Sequence, residues 1–177
     1  MTTLFWKHLH FIYLYVIIEF KIGKLCAMYK YKTVQGGIHI KKYKVGYTTG
    51  VFDLFHIGHL NILRRAKELC EYLIVGVSTD ECVKSYKNKI PTIPFDQRAE
   101  IVKAIRFVDE VVPQETMNKM EAWEKLKFEA LFHGSDWQNS EMYNKIVKDF
   151  NELGVDVVFL PHTDGVSTSE ISDKIKG

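Results

Sequence analysis

The chain has 177 residues, 46% of them apolar and 26% charged, with a formal net charge of +2. This length suits one domain with an extension. The net charge is close to neutral and no face-wide basic stripe is evident, so we do not expect a nucleic-acid partner. The three cysteines have a wide, irregular spacing that matches neither a disulfide framework nor a zinc site. We therefore expect reduced thiols and a cytoplasmic protein.

Residues 1–42 are interpreted as an apolar and basic extension to a domain at residues 43–177. Residues 4–20 are strongly apolar, but the uninterrupted run from Phe11 to Ile18 is shorter than the ~20 residues that span a membrane. Three alternatives stay open: a membrane-surface anchor, a segment packed on the domain or on a second subunit, and a stretch outside the functional unit. We favour the third, with Met28 as the start of the functional unit.

Beyond the extension, the hydrophobic pattern alternates between strand and helix. The predicted elements are strand 44–49, helix 60–69, strand 72–77, a loop at 78–89, helix 95–108, strand 110–112, helix 119–127, strand 130–133, helix 141–153, strand 155–160 and a helix from a capping box at 167–170 to residue 175. This alternation predicts a single-domain α/β fold, a Rossmann-like parallel sheet with helices on both faces. Ligands of such sheets bind beyond the carboxyl ends of the strands.

The junction between the first strand and the first helix is the most informative segment. His56 and His59 lie three residues apart, a spacing that puts both side chains on one helix face. The start of the helix adds unpaired backbone N–H groups and a positive dipole end, which favour a phosphate. Gly58 keeps this helix start thin, so that a phosphate can approach the backbone.

A structural role and a metal site are the alternatives for this histidine pair. Only Asp53 is close enough to add a metal ligand, and no cysteine or further acid stands at a familiar spacing. The strand–loop–helix context favours phosphate or nucleotide chemistry. We expect both imidazoles to donate hydrogen bonds to the α-phosphate of a nucleotide, while an anionic phosphate ester attacks in line and needs no general base.

Basic side chains follow the second predicted strand and occupy the next helix. Lys87 and Lys89, with Lys84 nearby, could turn toward phosphates, and a solvated loop is the alternative. Arg98 and Arg106 lie eight residues apart on one predicted helix, so we expect them to project in similar directions. Arg98 is the better ligand candidate, because Arg106 has neighbouring acids with which it could pair.

Two later loops supply further candidates. Asp136 and Trp137 follow a glycine at the end of the fourth predicted strand, and we expect the tryptophan in the core or in a pocket wall. The last strand leads into a loop of hydroxyl and glycine residues that could cradle a base, ribose or phosphates, with simple helix capping as the alternative. Its candidate nucleotide ligands are His162, Thr163, Gly165, Val166, Ser167 and Thr168.

These motifs, taken in order, resemble the cytidylyltransferase family. The segments that carry the likeness are Thr49–Asp53, His56–His59, Tyr72–Asp80, Arg106–Val111 and Thr163–Ser169. The resemblance implies a compact Rossmann-like enzyme that joins CTP to a small phosphate ester and releases pyrophosphate, with Mg2+ on the triphosphate. It is strongest to the branch that acts on glycerol 3-phosphate, and it implies a homodimer.

The resemblance also implies roles for single residues. His56 and His59 would bind and activate CTP, and we group Lys89 with them as catalytic. Nucleotide contacts outside the last loop are expected from Thr49, Gly50, Val51, Phe52, Gly58, Arg106 and Asp136. Substrate contacts are expected from Lys87, Lys119, Arg98 and Asp53.

One departure from the family pattern stands in the last loop, where His162 takes the place of the usual arginine. Histidine is mostly neutral near pH 7, whereas arginine is always charged. Phosphocholine or phosphoethanolamine as acceptor, and adenylyl transfer from ATP to a sugar phosphate, are alternatives with the same chemistry. A nucleotide-binding or membrane-associated regulator without turnover is an alternative from another class.

Overall fold

Five parallel strands form one sheet in the order β3-β2-β1-β4-β5 in the computed structural model, which describes residues 41–176. The strands are β1 Tyr43–Gly50, β2 Cys70–Ser78, β3 Glu110–Gln114, β4 Ala130–Gly134 and β5 Asp156–Leu160. The helices are α1 Ile57–Leu69, α2 Asp80–Lys87, α3 Phe95–Lys103, α4 Lys119–Leu126, α5 Glu141–Glu152 and α6 Thr168–Lys176, with a 3-10 turn at Ser135–Trp137. The predicted fold class is confirmed.

Apolar side chains cover both faces of the sheet, as the nearly continuous apolar run of β2 predicts. On one face, Leu63 of α1 and Val102 of α3 pack in a cluster with alternate residues of β2. On the other face, Phe128 and Phe150 pack with Tyr47 of β1. Helices α1 and α3 therefore lie on one side, and α4 and α5 lie on the other.

Strand β1 is the point at which the strand order changes direction. It pairs with β2 on one side and with β4 on the other, and in the second pairing Thr48 lies opposite Phe132. The carboxyl ends of β1 and β4 are therefore neighbours, while the chain leaves them toward opposite faces. This arrangement opens a crevice at the carboxyl edge, which is the usual ligand position in open parallel sheets.

The segment after β2 was predicted as a loop, and this is wrong, because Asp80–Lys87 forms helix α2. The Thr79 side chain accepts a hydrogen bond from the backbone N–H of Cys82 at 3.1 Å and caps its start. Asn88, with φ of 50°, ends the helix in the left-handed region. Strand β3 also runs through Pro113, where an end was predicted, because this edge strand has only one hydrogen-bonded neighbour.

Helix α3 ends at Lys103 and does not continue to Val108 as predicted. The N–H groups of Ile105 and Val108 donate to carbonyls three residues earlier, so the chain tightens into turns. Phe107 and Val108 then pack against the core of the α1 face. The prediction that Arg98 and Arg106 share a helix face is therefore wrong.

Cys70 and Cys82 are buried free thiols, and the Sγ of Cys70 donates to the carbonyl of Ala66 in α1. Within residues 41–176, no helix has both the length and the apolar character to cross a membrane. The apolar segment at 4–20, Cys26 and the proposed start at Met28 lie outside the described residues. The division at residue 42 stays a prediction.

Candidate active site

The loop from β1 to α1 has two non-glycine residues in the left-handed region. Phe52 has φ of 55° and Leu54 has φ of 46°, which is uncommon for residues of this size. The Phe52 ring is 3% exposed and packs against the His59 ring, with centroids 5.2 Å apart. A Cβ on Gly50 would lie 3.0 Å from the same phenyl ring. Packing of Phe52 therefore stabilises this turn, which positions His56 and His59 at the start of α1.

Both histidines cap the helix through the same ring nitrogen. The Nδ1 of His56 accepts a hydrogen bond from the backbone N–H of Gly58 at 3.1 Å. The Nδ1 of His59 accepts from the backbone N–H of His56 at 3.4 Å. A nitrogen that accepts a hydrogen bond carries no proton, so each neutral ring is protonated on Nε2. The two rings are stacked with centroids 3.8 Å apart and offer two Nε2–H donors.

The surroundings keep both rings neutral at pH 7. Burial, and then the charge of His162, lower the pKa of His56. Burial and the neighbouring His56 lower the pKa of His59 to about 3. The pair therefore offers oriented N–H dipoles beside the helix N-terminus, an arrangement that favours an anion without a positive charge of its own.

Gly58 has a steric role as well as a backbone role. A Cβ at this position would lie 2.9 Å from Cε1 and 3.0 Å from Nδ1 of His56. The same Cβ would lie 3.6 Å from Val166 in the last loop. A side chain here would push the imidazole out of its capping position, so the glycine preserves the orientation of the Nε2–H donor.

Asp53 connects the turn to the loop before α3. Its carboxylate accepts from the backbone N–H groups of Thr92 at 2.8 Å, Ile93 at 2.9 Å and Leu54 at 3.1 Å. The residue is 7% exposed. These contacts make Asp53 an anchor of two loops, and its expected contact with a substrate stays a prediction.

Arg98 lies beneath the turn and is fully buried. Its Nε donates to the carbonyl of Ile93 at 2.8 Å, and one terminal nitrogen donates to the carbonyl of Val51. The other terminal nitrogen pairs with Asp80 at 2.5 Å. The guanidinium thus joins the β1 turn, the loop before α3 and the start of α2. These contacts support a positioning role, while its expected contact with a substrate stays a prediction.

The last loop packs against the histidine pair. The Asn61 side-chain amide donates to the Thr163 hydroxyl at 3.1 Å, and the Thr168 hydroxyl donates to the carbonyl of Asp53 at 3.0 Å. The Ser167 hydroxyl accepts from the backbone N–H of Glu170 at 3.2 Å, which confirms the predicted cap. The structure therefore brings this loop and α1 to one place, although the sequence showed no sign that Asn61 would join them.

Two predicted basic residues lie at the edge of this group. Lys87 ends α2 close enough to His59 for its charge to lower the pKa of that imidazole. Partial desolvation of the ammonium, and then the charge of Lys89, lower the pKa of Lys87, although both lysines keep exposed surface. An anion that entered here would meet two neutral imidazoles and two lysines.

Three further predicted ligands are Arg106, Asp136 and Lys119. The Arg106 guanidinium lies over the Phe107 ring, 4.8 Å from its centroid, and among residues 41–176 it forms no ion pair. The carboxylate of Asp136 folds over Gly134 at the end of β4. Trp137 packs against the core cluster of the face that α4 and α5 cover, which is one of the two expected positions. Lys119 is buried at the start of α4, on the opposite face from α1.

The sequence is similar to those of known nucleotidyltransferases. Residues 47–174 match the family model described as cytidylyltransferase-like. The chain is 37% identical over 137 residues to the glycerol-3-phosphate cytidylyltransferase of Bacillus subtilis (strain 168), an alignment that covers 73% of this chain and 95% of that protein. It is 39% identical over 133 residues to the FAD synthase of Pyrococcus horikoshii, with 71% of this chain and 88% of that protein covered.

A solved structure has a similar fold. The lipopolysaccharide core biosynthesis protein from Thermoplasma volcanium GSS1 superposes with a TM-score of 0.58 and 25% sequence identity, covering 68% of this chain and 97% of that chain. The family model spans β1 from Tyr47 onward, the other four strands, the histidine pair and the last loop. The chain therefore belongs to the cytidylyltransferase-like family of nucleotidyltransferases.

Proposed function

We propose that the protein transfers the cytidylyl group of CTP to glycerol 3-phosphate, which gives CDP-glycerol and pyrophosphate. The observation that carries this proposal is the pair of Nε2–H donors at the start of α1, in the crevice between β1 and β4. The similarity to the Bacillus subtilis glycerol-3-phosphate cytidylyltransferase supports the choice of nucleotide and acceptor.

The reaction needs orientation and charge stabilisation more than proton transfer. An oxygen of the acceptor phosphate forms a bond to the α-phosphorus, and the bond from that phosphorus to the bridging oxygen breaks as pyrophosphate leaves. Negative charge grows on the oxygens of the α-phosphate in this step. His56 and His59 donate to those oxygens, and Lys87 and Lys89 balance the charge of the anions around them.

The proposal includes a Mg2+ ion that is bound to the triphosphate of CTP. Within the described part of the chain, no group of three or more His, Cys, Asp or Glu side chains could hold a metal ion. Mg2+ often binds through substrate phosphates and water with few protein ligands, which fits this site better than a protein cage.

We further propose that the protein is a homodimer and that it is located in the cytoplasm. The dimer follows from the family resemblance alone. The buried free thiols of Cys70 and Cys82 support a reducing compartment. Size-exclusion chromatography with light scattering would test the dimer independently of the activity.

Adenylyl transfer is the second candidate function, because the chain is 39% identical to an FAD synthase. Phosphocholine and phosphoethanolamine are further acceptors to be tested, and a nucleotide-binding regulator would show no turnover at all.

One experiment separates these alternatives. The purified protein is incubated with CTP or ATP, and with glycerol 3-phosphate, phosphocholine, phosphoethanolamine, a sugar phosphate or FMN, while pyrophosphate release is measured. We expect release with CTP and glycerol 3-phosphate well above every other pair. Release only with ATP would favour adenylyl transfer, and nucleotide binding without release from any pair would favour a regulator.

His162→Arg is expected to lower the KM for CTP about tenfold, because a permanent guanidinium charge replaces an imidazole that is largely neutral near pH 7. His162 lies close enough to His56 to lower the pKa of that ring, so a charge at this position reaches the histidine pair. The measurement is the KM for CTP of the wild type and the variant at the same pH. An unchanged or higher KM in the variant would count against this role.

A further inference from the structure

We propose that Asn61 is a positioning residue of the nucleotide site, which turns the hydroxyl proton of Thr163 toward the triphosphate. This inference rests on the proposed function for the choice of nucleotide. It gives Asn61 a role that it exerts through Thr163, without a contact of its own to the nucleotide. Asn61 lies in α1, two positions after His59, and Thr163 lies in the last loop, between β5 and α6.

The contact between Asn61 and Thr163 joins side chains that are 102 positions apart in the sequence. The amide nitrogen of Asn61 donates to the Oγ1 of Thr163 at 3.1 Å, and both residues are half-buried. The Oδ1 of Asn61 accepts from a terminal nitrogen of Arg64 at 2.9 Å. Because a guanidinium can only donate, Arg64 holds the oxygen end of the amide, and the nitrogen end faces Thr163.

The direction of this hydrogen bond leaves the threonine proton available. A hydroxyl group carries one proton and accepts through its oxygen. Thr163 accepts from Asn61, and among residues 41–176 it donates no hydrogen bond. Thr168 uses its hydroxyl in the opposite way, because it donates to the carbonyl of Asp53 at 3.0 Å. Thr168 therefore fastens the chain, whereas Thr163 keeps a donor for a bound molecule.

The hydrogen bonds that lead to Thr163 favour an anion at their end. The guanidinium of Arg64 donates to the amide of Asn61, and the amide donates to the hydroxyl. Bonds that run in one direction polarise one another, so the hydroxyl at the end becomes a stronger donor. Hydrogen bonds to an ionised acceptor are also stronger than those to a neutral one. A phosphate oxygen is therefore the acceptor that suits this hydroxyl best.

The last loop borders the start of α1, where we assign the α-phosphate. Asn61 follows Gly58 by three residues, so both positions share one face of the helix. A Cβ on Gly58 would lie 3.6 Å from Val166 of the loop and 2.9 Å from the His56 ring. The face of α1 that holds Thr163 is thus the face on which the loop approaches His56.

The last loop has no permanent positive charge with which to hold a triphosphate. Residues 161–167 contain no lysine or arginine, and Asp164 adds a negative charge. His162 stands where the family resemblance leads us to expect an arginine. Such a loop holds an anion through oriented dipoles, and a donor that is oriented before binding loses less freedom when the ligand binds. Asn61 supplies that orientation.

The test is a double-mutant cycle in which the Kd for CTP is measured by isothermal titration calorimetry. Thr163→Val removes the hydroxyl and keeps the shape, and Asn61→Leu removes the donor at similar size. We expect Thr163→Val to raise the Kd tenfold to hundredfold, the effect of losing a hydrogen bond to a charged group. Asn61→Leu should raise it about tenfold. The double variant should bind within about twofold of Thr163→Val, because Asn61 acts through the hydroxyl.

Asn61→Asp separates the positioning role from simple fastening of the loop. The carboxylate keeps the size of the side chain and its pairing with Arg64, but it can only accept, so it takes the proton of Thr163. The loop contact survives, yet the Kd for CTP should rise as much as in Thr163→Val. Adding Asn61→Asp to Thr163→Val should change the Kd by no more than about twofold. Asn144→Asp, the same change at an exposed position of α5, is the control, with a Kd within about twofold of the wild type.

Each outcome decides the proposal. A wild-type Kd in Asn61→Asp would overturn it, because the contact would then only fasten the loop. A loss in Asn61→Leu or Asn61→Asp that persists in the Thr163→Val background would also overturn it, since packing or charge repulsion would be the cause. If Asn61→Leu does not fold, Asn61→Ala replaces it with the same expected rise. Pyrophosphate release with ATP alone would overturn the proposed function instead, and the Kd for ATP in the same variants would then decide the role of Asn61.

Discussion

His56→Asn is expected to lower kcat about 10²- to 10³-fold, with the melting temperature close to that of the wild type. Asparagine is among the best N-cap residues, so its side-chain oxygen can accept from the Gly58 N–H in place of Nδ1. It lacks the Nε2–H that we assign to the α-phosphate. Because that contact strengthens as charge grows in the transition state, the loss should fall mainly on kcat and less on the KM for CTP.

His56→Ala serves as the matched comparison, since it removes both the donor and the cap. It should show the same loss of kcat together with a loss of about 1 kcal/mol in the free energy of unfolding. Near-normal kcat in His56→Asn would refute the role of the imidazole as a phosphate donor. Equal destabilisation of the two variants would show that the asparagine does not replace the cap.

Arg98→Met is expected to reduce the free energy of unfolding by about 3 kcal/mol, because a buried side chain that joins three segments is lost. The substitution leaves the carbonyls of Val51 and Ile93 without their donors. Asp80 also loses its ion pair, although its side chain is 31% exposed and water screens much of that loss. The measurement is the urea midpoint at an unchanged slope.

Arg64→Met is the control, because Arg64 is an exposed arginine on α1 that donates to the Asn61 side chain at 2.9 Å. A surface change of this kind should shift the free energy of unfolding by less than about 0.5 kcal/mol. If Arg98→Met keeps the wild-type stability while the KM for the acceptor rises, the sequence-based prediction of a substrate ligand is right, and the positioning role is wrong.

The sequence predicted the sheet well because strand and helix follow from local apolar periodicity. The continuous apolar run of β2 and the spacing of Leu63 and Ala66 on α1 need no knowledge of distant contacts. Helix α2 was missed because it is short and largely polar, and Asn88 and Pro91 beyond it indicate a loop. The end of α3 was missed because Phe107 and Val108 turn inward to meet the core, which is a tertiary effect.

The histidine pair could be predicted from the sequence, because its spacing and its position before a helix are local sequence features. Its tautomer was not, since it depends on the two backbone N–H groups that reach Nδ1. The contacts of Arg98 were hidden for another reason. Its guanidinium donates to the carbonyl of Val51, which lies 47 positions earlier in the sequence, and no local sequence pattern predicts such a contact.

A crystal structure of the protein with CTP tests the central claim most directly. We expect the Nε2 atoms of His56 and His59 to lie about 2.7–3.2 Å from oxygens of the α-phosphate, with both Nδ1 atoms still on their backbone donors. Imidazoles that turn away from the triphosphate, or that contact the nucleotide only through the ribose or the base, would contradict the claim.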